Sequence, residues 1–498
     1  MKWPCLALLL AGLTAAPSAC ADEVLRIGSK RFTESYILGE VLLRAVRDKT
    51  RAEHSPGLGN TGIVFAALKS GSIDLYPEYT GTIAREILKL DGNPGLKELD
   101  ALLAPLGLGV SVAMGFNNGY ALGMREESAA RLSIRSISDL ARQARLRLGL
   151  SQEFLARADG WPGLARAYRL PQSPVSLDHG LAYEALAAGR IDVTDLYSTD
   201  AKVEKYALRV LADDRGYFPR YEAVILHRLD VPRRFPDAWR ALAGLEGKID
   251  ERGMIRLNAA AELQGMSFRD AAALAFPDGG PRTVASRSFV GLLFASDFAR
   301  LTREHLLLTF ASLALAAALG VPLAVLAARV PATAQWILGA AGVIQTVPSL
   351  ALLAFLIALV GTIGTVPALI ALFLYALLPI VRNTHAGLVG IGGGMLQAAL
   401  ALGLNSRDRL WLIELPLALP SILAGVKTSA VINVGTATIA AFIGAGGYGE
   451  RIASGLALND HAMLLAGALP AAGLALLMQG IFELAEWRFS WMAKLRRR

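Results

Sequence analysis

The residues of this 498-residue sequence best suited to chemistry are its tyrosines. Ten of the twelve lie within residues 22–285. A tyrosine ring face attracts cations, and a cage of several rings is the usual way to hold a quaternary ammonium group. Such a group has no N–H to donate, so a pocket must grip it by π-faces and by shape. A single tyrosine in a soluble domain is more often half-buried packing, so placement decides. Several of these tyrosines fall in strings that end a strand or begin a helix: Asp74-Leu75-Tyr76-Pro77-Glu78-Tyr79-Thr80-Gly81-Thr82, Phe116-Asn117-Asn118-Gly119-Tyr120, Asp195-Leu196-Tyr197-Ser198-Thr199-Asp200, and Tyr217-Phe218-Pro219-Arg220-Tyr221 after Asp213-Asp214. A fifth string, Gly28-Ser29-Lys30-Arg31-Phe32-Thr33-Glu34, has the same character.

Other chemistries find little support. The six histidines (His54, His179, His227, His305, His385 and His461) show no metal-ligand spacing. Adjacent carboxylates such as Asp213 and Asp214 more often point apart into solvent. The two cysteines, Cys5 and Cys20, both lie near the N-terminus. No phosphate-cradling G-x-x-x-x-G-K-[ST] loop occurs, and Gly244-Leu245-Glu246-Gly247-Lys248 lacks its spacing and hydroxyl. The expectation is a chain that is not an enzyme and binds no metal or cofactor of its own. A formal charge of +8 raises nucleic acid as a partner, but the basic residues are scattered or sit at the ends of apolar runs, so none is expected.

Those tyrosine strings need elements to hold them. Strand patterns at 24–28, 71–76, 121–124, 147–150 and 191–195 alternate with helical stretches, at about 33–47, near 81–90, and from a cap at Ser138-Asp139-Leu140. This alternation predicts an α/β fold of two lobes, and ligands in such folds sit at loops beyond strand ends. Asp195 and Asp200 can face a bound cation or cap a helix.

The second half is of another kind. Hydrophobic residues make up 54% of the chain and charged residues only 18%, against roughly a quarter charged in a soluble protein. From residue 305 onward, apolar runs of membrane-crossing length recur, giving five expected spans near 305–328, 336–360, 366–381, 418–443 and 461–484. Arg382, Arg407 and Arg409 mark the 382–411 loop as cytoplasmic, as Lys494-Leu495-Arg496-Arg497-Arg498 mark the C-terminus. An odd number of spans then places the first half outside. The N-terminus agrees: Lys2, an apolar Leu6–Leu13 and Ala19-Cys20-Ala21 resemble a secretory signal over 1–21, cleaved before Asp22. Acylation at Cys20 is the alternative, with Pro17 where leucine is usual.

The loop between the third and fourth spans carries a specific pattern. Gln397-Ala398-Ala399, then Gly403, then Leu415-Pro416, Pro420 and Gly425 resemble the coupling loop of ABC-importer permeases, with Gln397 where that family usually has Glu. The resemblance covers most of 305–485. It implies that Gln397, Ala398, Ala399 and Gly403 meet a separate cytosolic ATPase subunit, and that two permease copies pair to form the path.

The strings of the first half resemble the osmoprotectant-binding proteins for glycine betaine, choline and their relatives over nearly all of 24–230. That resemblance implies a two-lobed periplasmic binding protein of the type II kind that closes on its ligand. It carries the family's aromatic cage onto Tyr79, Tyr120, Tyr197 and either Tyr217 or Tyr221, with Thr82 beside the ligand's carboxylate or hydroxyl end. Ser35 stands where the family commonly has Gln, which is expected to loosen the contact with a ligand carboxylate. The expected architecture is a signal peptide (1–21), an extracytoplasmic substrate-binding domain (22–285), a connector (286–304) and an all-α transmembrane permease domain (305–498). The expected protein is a multi-pass subunit of the bacterial inner membrane that imports a small quaternary-ammonium solute. The betaine ergothioneine as solute, or a membrane-anchored ligand sensor, are the competing readings.

Overall fold

The computed structural model describes residues 23–90, 92–277, 289–458 and 460–495. The expected leader, with its Cys20 question, and most of the 278–288 boundary lie outside the described residues.

The first half forms two lobes. Lobe 1 is built on a five-stranded sheet of order β2-β1-β3-β10-β4, comprising β1 (Leu25–Gly28), β2 (Ala52–Ser55), β3 (Leu75–Tyr79), β4 (Leu108–Ser111) and β10 (Ala223–Arg228). β1 runs parallel to β2 and β3, whereas β10 is antiparallel to both β3 and β4. Lobe 2 holds the three-stranded set β8-β5-β9, from Val193–Tyr197, Tyr120–Arg125 and Leu208–Val210, and a parallel pair of β6 (Gly149–Ser151) and β7 (Val175–Leu177). The chain crosses between lobes twice, from β4 to β5 and from β9 back to β10. Inserting a late strand into the first sheet fastens the lobes together at two crossings. β10 reads Ala-Val-Ile-Leu-His-Arg and is buried through His227, as a strand paired on both edges should be. β3 tolerates Pro77 because its ladder to β1 ends at Leu75 opposite Ile27.

Local details depart from the sequence expectations. The β3 strand begins at Leu75 rather than at 71, which moves Tyr79 onto its last position. The helix expected at 81–90 is a short turn, Thr80–Thr82, running into a wide-turned segment, Ile83–Ile87. The cap expected at Ser138 is Ser136, which exchanges hydrogen bonds with Asp139 in a capping box. Four helices matter for the site: α1 (Thr33–Val46), α2 (Thr61–Lys69), α3 (His179–Ala187) and α4 (Glu251–Glu262).

The membrane half contains α5 (Phe298–Arg329), α6 (Pro331–Thr346), α7 (Ser349–Val360), α8 (Thr365–Val389), α9 (Gly393–Ala401), α10 (Leu415–Ala440), α11 (Gly449–Leu458) and α12 (His461–Leu495). Four helical stretches are each long and apolar enough to cross a bilayer. The span expected at 336–360 is instead α6 and α7, bent by 103° at Val347-Pro348. Proline removes a helical hydrogen bond and disfavours the helical conformation before it. The bent pair still travels from one side to the other. It starts beside Arg329, which donates to Ser406 O at 2.7 Å on the loop side. It ends at Ile363, whose amide lies 3.4 Å from Ser72 Oγ of lobe 1. Small residues let the helices approach closely: a Cβ on Gly425 of α10 would stand 2.8 Å from Pro379 O of α8.

Candidate functional site

Four tyrosines converge between the lobes from four strand ends. Tyr79 closes β3, Tyr120 opens β5, Tyr197 closes β8, and Tyr221 precedes β10. Tyr120 is the centre of the group, its ring centroid 5.0 Å from Tyr197 and 5.6 Å from Tyr221. Phe32, just before α1, completes the wall at 5.6 Å from Tyr197 and 6.3 Å from Tyr79. These rings and Thr82 line one small cavity.

Two cations that sequence reasoning missed share this cavity. Lys30 Nζ lies 5.1 Å from the Tyr79 ring and 5.6 Å from Phe32, and donates to Glu78 Oε1 at 2.6 Å. Arg157 lies 5.2 Å from the Tyr120 ring and donates to both Asp159 oxygens, at 2.8 and 2.6 Å. Arg157 Nη1 also reaches Thr82 Oγ1 at 3.4 Å. Lys30 and Arg157 are both buried, so each charge needs partners. Lys30 lay inside a quoted string, and the Arg157-x-Asp159 spacing was its only other signal; in sequence both read as ordinary solvated charges.

The cage hydroxyls are tied down. Tyr221 donates to Asp159 Oδ2 at 2.7 Å, and Tyr79 donates to Glu34 Oε1 at 2.6 Å. Burial first, and neighbouring carboxylates second for Tyr79 and Tyr221, push these phenols well above their ordinary range. Burial does the same for Tyr120 and Tyr197. The rings therefore stay neutral at any pH the protein meets, and their faces remain available to a cation. Lys30 and Arg157 lie against these same rings and, with the Thr82 hydroxyl, are the groups of the lining that can meet an anion, beside the one acidic lining residue, Glu153. The cavity can thus hold one molecule bearing a fixed positive and a fixed negative charge.

Two expected site residues stand elsewhere. Tyr217 lies outside the cavity lining, its ring edge-on to Phe218 at 5.2 Å and its hydroxyl near Gly160 O at 3.5 Å. Its place is in the wall behind the cage, and Tyr221 takes the ring position. Ser35 is buried on α1, where its Oγ accepts from the Lys30 amide at 2.8 Å. It shapes the turn that presents Lys30 and does not line the cavity. Asp195 and Asp200 cap no helix: Asp195 accepts from the Ser151 amide at 2.6 Å, and Asp200 from the Tyr197 amide at 2.9 Å.

On the far side of the molecule, α9 carries Gln397 and Ala398 exposed and Ala399 buried. Ala399 packs inward, so its small side chain serves the approach of α9 to the protein. Gly403 is exposed with φ +79, the left-handed conformation that ends a helix at glycine. Among the residues that α9 and its neighbourhood present outward are four large apolar ones, Leu400, Leu402, Trp411 and Leu412, beside exposed Gln397 and Arg407.

A two-lobed cleft with an aromatic cage, joined in one chain to a helical membrane domain with a cytoplasmic-type loop, defines a transport protein. The chain belongs to the family described as substrate binding domain of ABC-type glycine betaine transport system, which it matches over residues 23–276. Residues 320–491 match the binding-protein-dependent transport system inner membrane component. The chain is similar to the ergothioneine transport permease/ergothioneine binding protein EgtU of Helicobacter pylori, 33% identical over 267 residues, and spans about half of it (48%), with 51% of this chain covered. It is 43% identical over 193 residues to the osmoprotectant import permease protein OsmW of Salmonella typhimurium, covering 38% of this chain and 90% of that one. Among solved structures, a glycine betaine/carnitine/choline ABC transporter chain is 28% identical with a TM-score of 0.43, covering 50% of this chain and 96% of that one. The protein is a fused substrate-binding and permease subunit of an ABC importer.

Proposed function

We propose that this chain imports a zwitterionic quaternary-ammonium solute of the glycine betaine type. The observation that carries the reading is the cavity lined together by four tyrosine rings, Phe32, Lys30, Arg157 and Thr82. Choline has the ammonium but lacks the carboxylate that two buried cations would attract, so it is the weaker fit. Ergothioneine is also a betaine, and the likeness to a protein named for it makes it the second reading.

The front domain, residues 22–285, works outside the cytoplasm. Three crossings between it and the loop that carries Arg407 and Arg409 (α5, the bent pair counted as one, and α8) support this reading, since basic loops collect on the cytoplasmic side. A leader over 1–21 fits the same orientation. Residues 305–498 form the permease, two copies of which pair, since one set of spans makes half of a path. A separate cytosolic ATPase docks on the loop around α9 and drives the switch between outward and inward states. The test is calorimetric titration of the purified chain with glycine betaine, ergothioneine and choline. Binding of a betaine at least tenfold tighter than choline is expected. Preference for choline, or no response to any methylated ammonium, overturns the proposal.

A further inference from the structure

A second cavity lies against the first. Phe32 and Tyr197 line both, so this pair of rings is the partition between them. The remaining walls come from four places: the α1 end of lobe 1, α4 through Asn258 and Glu262, the α3 region of lobe 2, and the permease, through Ala453 and Leu456 of α11. The cavity is therefore complete only where the front domain sits on its own membrane half.

That seating is specific. Lobe 1 places Arg31 over the Phe442 ring at 4.6 Å. Ile63 and Ala66 of α2 pack on the apolar cluster that includes Leu352 and Leu356 of the permease. Leu58 fills the space a Cβ on Gly444 would need, at 2.5 Å. Lobe 2 meets the permease through α3, which packs on α11. α11 is in turn fastened to α5 by Arg451 on Asp297 at 2.7 Å and Arg300 on Glu450 at 2.7 Å. Both lobes thus rest on one rigid part of the membrane domain, and α11 roofs the chamber between them.

The lining has the chemistry of a ligand site. Tyr183 adds a third ring to Phe32 and Tyr197. Asn118 Oδ1 and Asn258 Oδ1 are buried acceptors that receive no hydrogen bond, and these asparagines are only 4% and 3% exposed. Orphaned acceptors of this kind normally find a partner. A methylated ammonium supplies one without any N–H: its polarised methyl groups make weak C–H···O contacts while its charge sits among rings. Arg31 and Lys202 also line the chamber, each paired with a carboxylate of the same lining, Asp178 at 3.8 Å and Glu262 at 3.9 Å.

We propose that this chamber is a transit site, where a quaternary-ammonium zwitterion leaving the cage past Phe32 and Tyr197 is held beneath α11 before it enters the spans. It rests on the reading of the cage given above, and extends it to a site made jointly by binding domain and permease.

The test places a thiol at the roof, Ala453→Cys, in the full chain co-expressed with its ATPase, the parent chain controlling for label at Cys5 and Cys20. The reagent is 2-(trimethylammonium)ethyl methanethiosulfonate, whose transfer leaves a trimethylammonium tethered in the chamber. Modification should cut uptake of labelled glycine betaine at least tenfold, and excess glycine betaine should slow modification at least fivefold. Calorimetry should still show glycine betaine binding to the modified chain. If Ala453→Cys fails to reach the membrane, Leu456→Cys takes its place. A fully modified chain that imports at the parent's rate, or a thiol indifferent to glycine betaine, overturns the transit site alone. A parent chain that neither binds nor imports any betaine overturns the functional reading, and the transit site with it.

Discussion

The Tyr79 hydroxyl donates to Glu34 Oε1 at 2.6 Å, joining a wall of the cage to a buried carboxyl at the junction of the lobes. Asn118 of the inter-lobe crossing donates to the same oxygen at 2.9 Å, while Thr199 of lobe 2 and Asn258 of α4 donate to Oε2. One side chain on lobe 1 thus collects donors from a ligand-facing ring, a crossing strand and the opposite lobe. Burial pushes the Glu34 carboxyl above its ordinary value, against the pull of those four donors. Closure and cage geometry are therefore set by one hydrogen-bonded centre.

Glu34→Ala removes the acceptor and leaves buried donors unsatisfied, at about 1–3 kcal/mol for each group that cannot find water. Glycine betaine affinity should fall at least tenfold, with a faster dissociation rate, because the closed state loses its tie. Stopped-flow fluorescence on the purified chain checks this. An unchanged dissociation rate would show that Glu34 supports the fold without linking it to closure.

Removing one ring of the cage separates it from its neighbour outside. Tyr120→Ala or Tyr197→Ala should weaken a quaternary ligand by about 1–2 kcal/mol or more. Tyr217→Ala, beyond the lining, should shift affinity by less than about 0.5 kcal/mol. Calorimetry on the three variants decides, and equal losses at Tyr217 and Tyr197 would displace the cage from the cavity described.

The aromatic half of this site was legible because its residues sit in short strings at strand ends, where α/β folds place their ligands. The anionic-end half was not. Lys30 and Arg157 are charged residues that sequence reading assigns to solvent, and only the partners Glu78 and Asp159 make their burial tolerable. Ser35 entered the reading only through the family resemblance, standing where that family commonly has Gln; on α1 its hydroxyl turns instead to the Lys30 amide. Four of the five expected spans are single apolar helices and were legible from hydropathy; the fifth is the pair bent by 103°, which an averaged apolar run does not register.

The anionic end should discriminate between ligands that share an ammonium. Lys30→Met alone strands Glu78, a buried charge whose exposure is 0%, so the informative variant is Lys30→Met with Glu78→Gln. Glycine betaine affinity should fall at least tenfold while choline affinity changes by less than threefold. Parallel titrations of the double variant measure the ratio, and equal losses for both ligands would remove Lys30 from carboxylate recognition.

Stability should carry a signature of His179. Burial works against its charge, yet Asp200, with Nε2 at 3.2 Å, and Asp195, with Nδ1 at 3.8 Å, raise its pKa from 6.5 to about 10. A raised folded pKa means stability present in full below about pH 6.5, declining as pH rises and lost above about 10. Thermal melts of the purified chain from pH 6 to 10 should therefore fall more steeply for the parent than for His179→Gln. Parallel curves would mean that His179 is neutral in the folded protein.

The last prediction concerns the loop. Arg409 donates to Glu414 Oε1 at 2.6 Å and Arg329 donates to Ser406 O at 2.7 Å, so the chain after α9 is braced against the end of α5. That braced loop exposes large apolar residues, with Leu402 80% exposed and Leu412 66% exposed. Unpartnered apolar surface on a rigid loop is what a protein partner covers. Leu402→Asp places a charge in that contact, and should abolish ligand-stimulated ATP hydrolysis and co-purification of the ATPase while glycine betaine binding at the cage is unchanged. Gly403→Ala should act more weakly, through about 1–2 kcal/mol of strain at φ +79. Normal ATPase stimulation in Leu402→Asp would move the docking face away from α9.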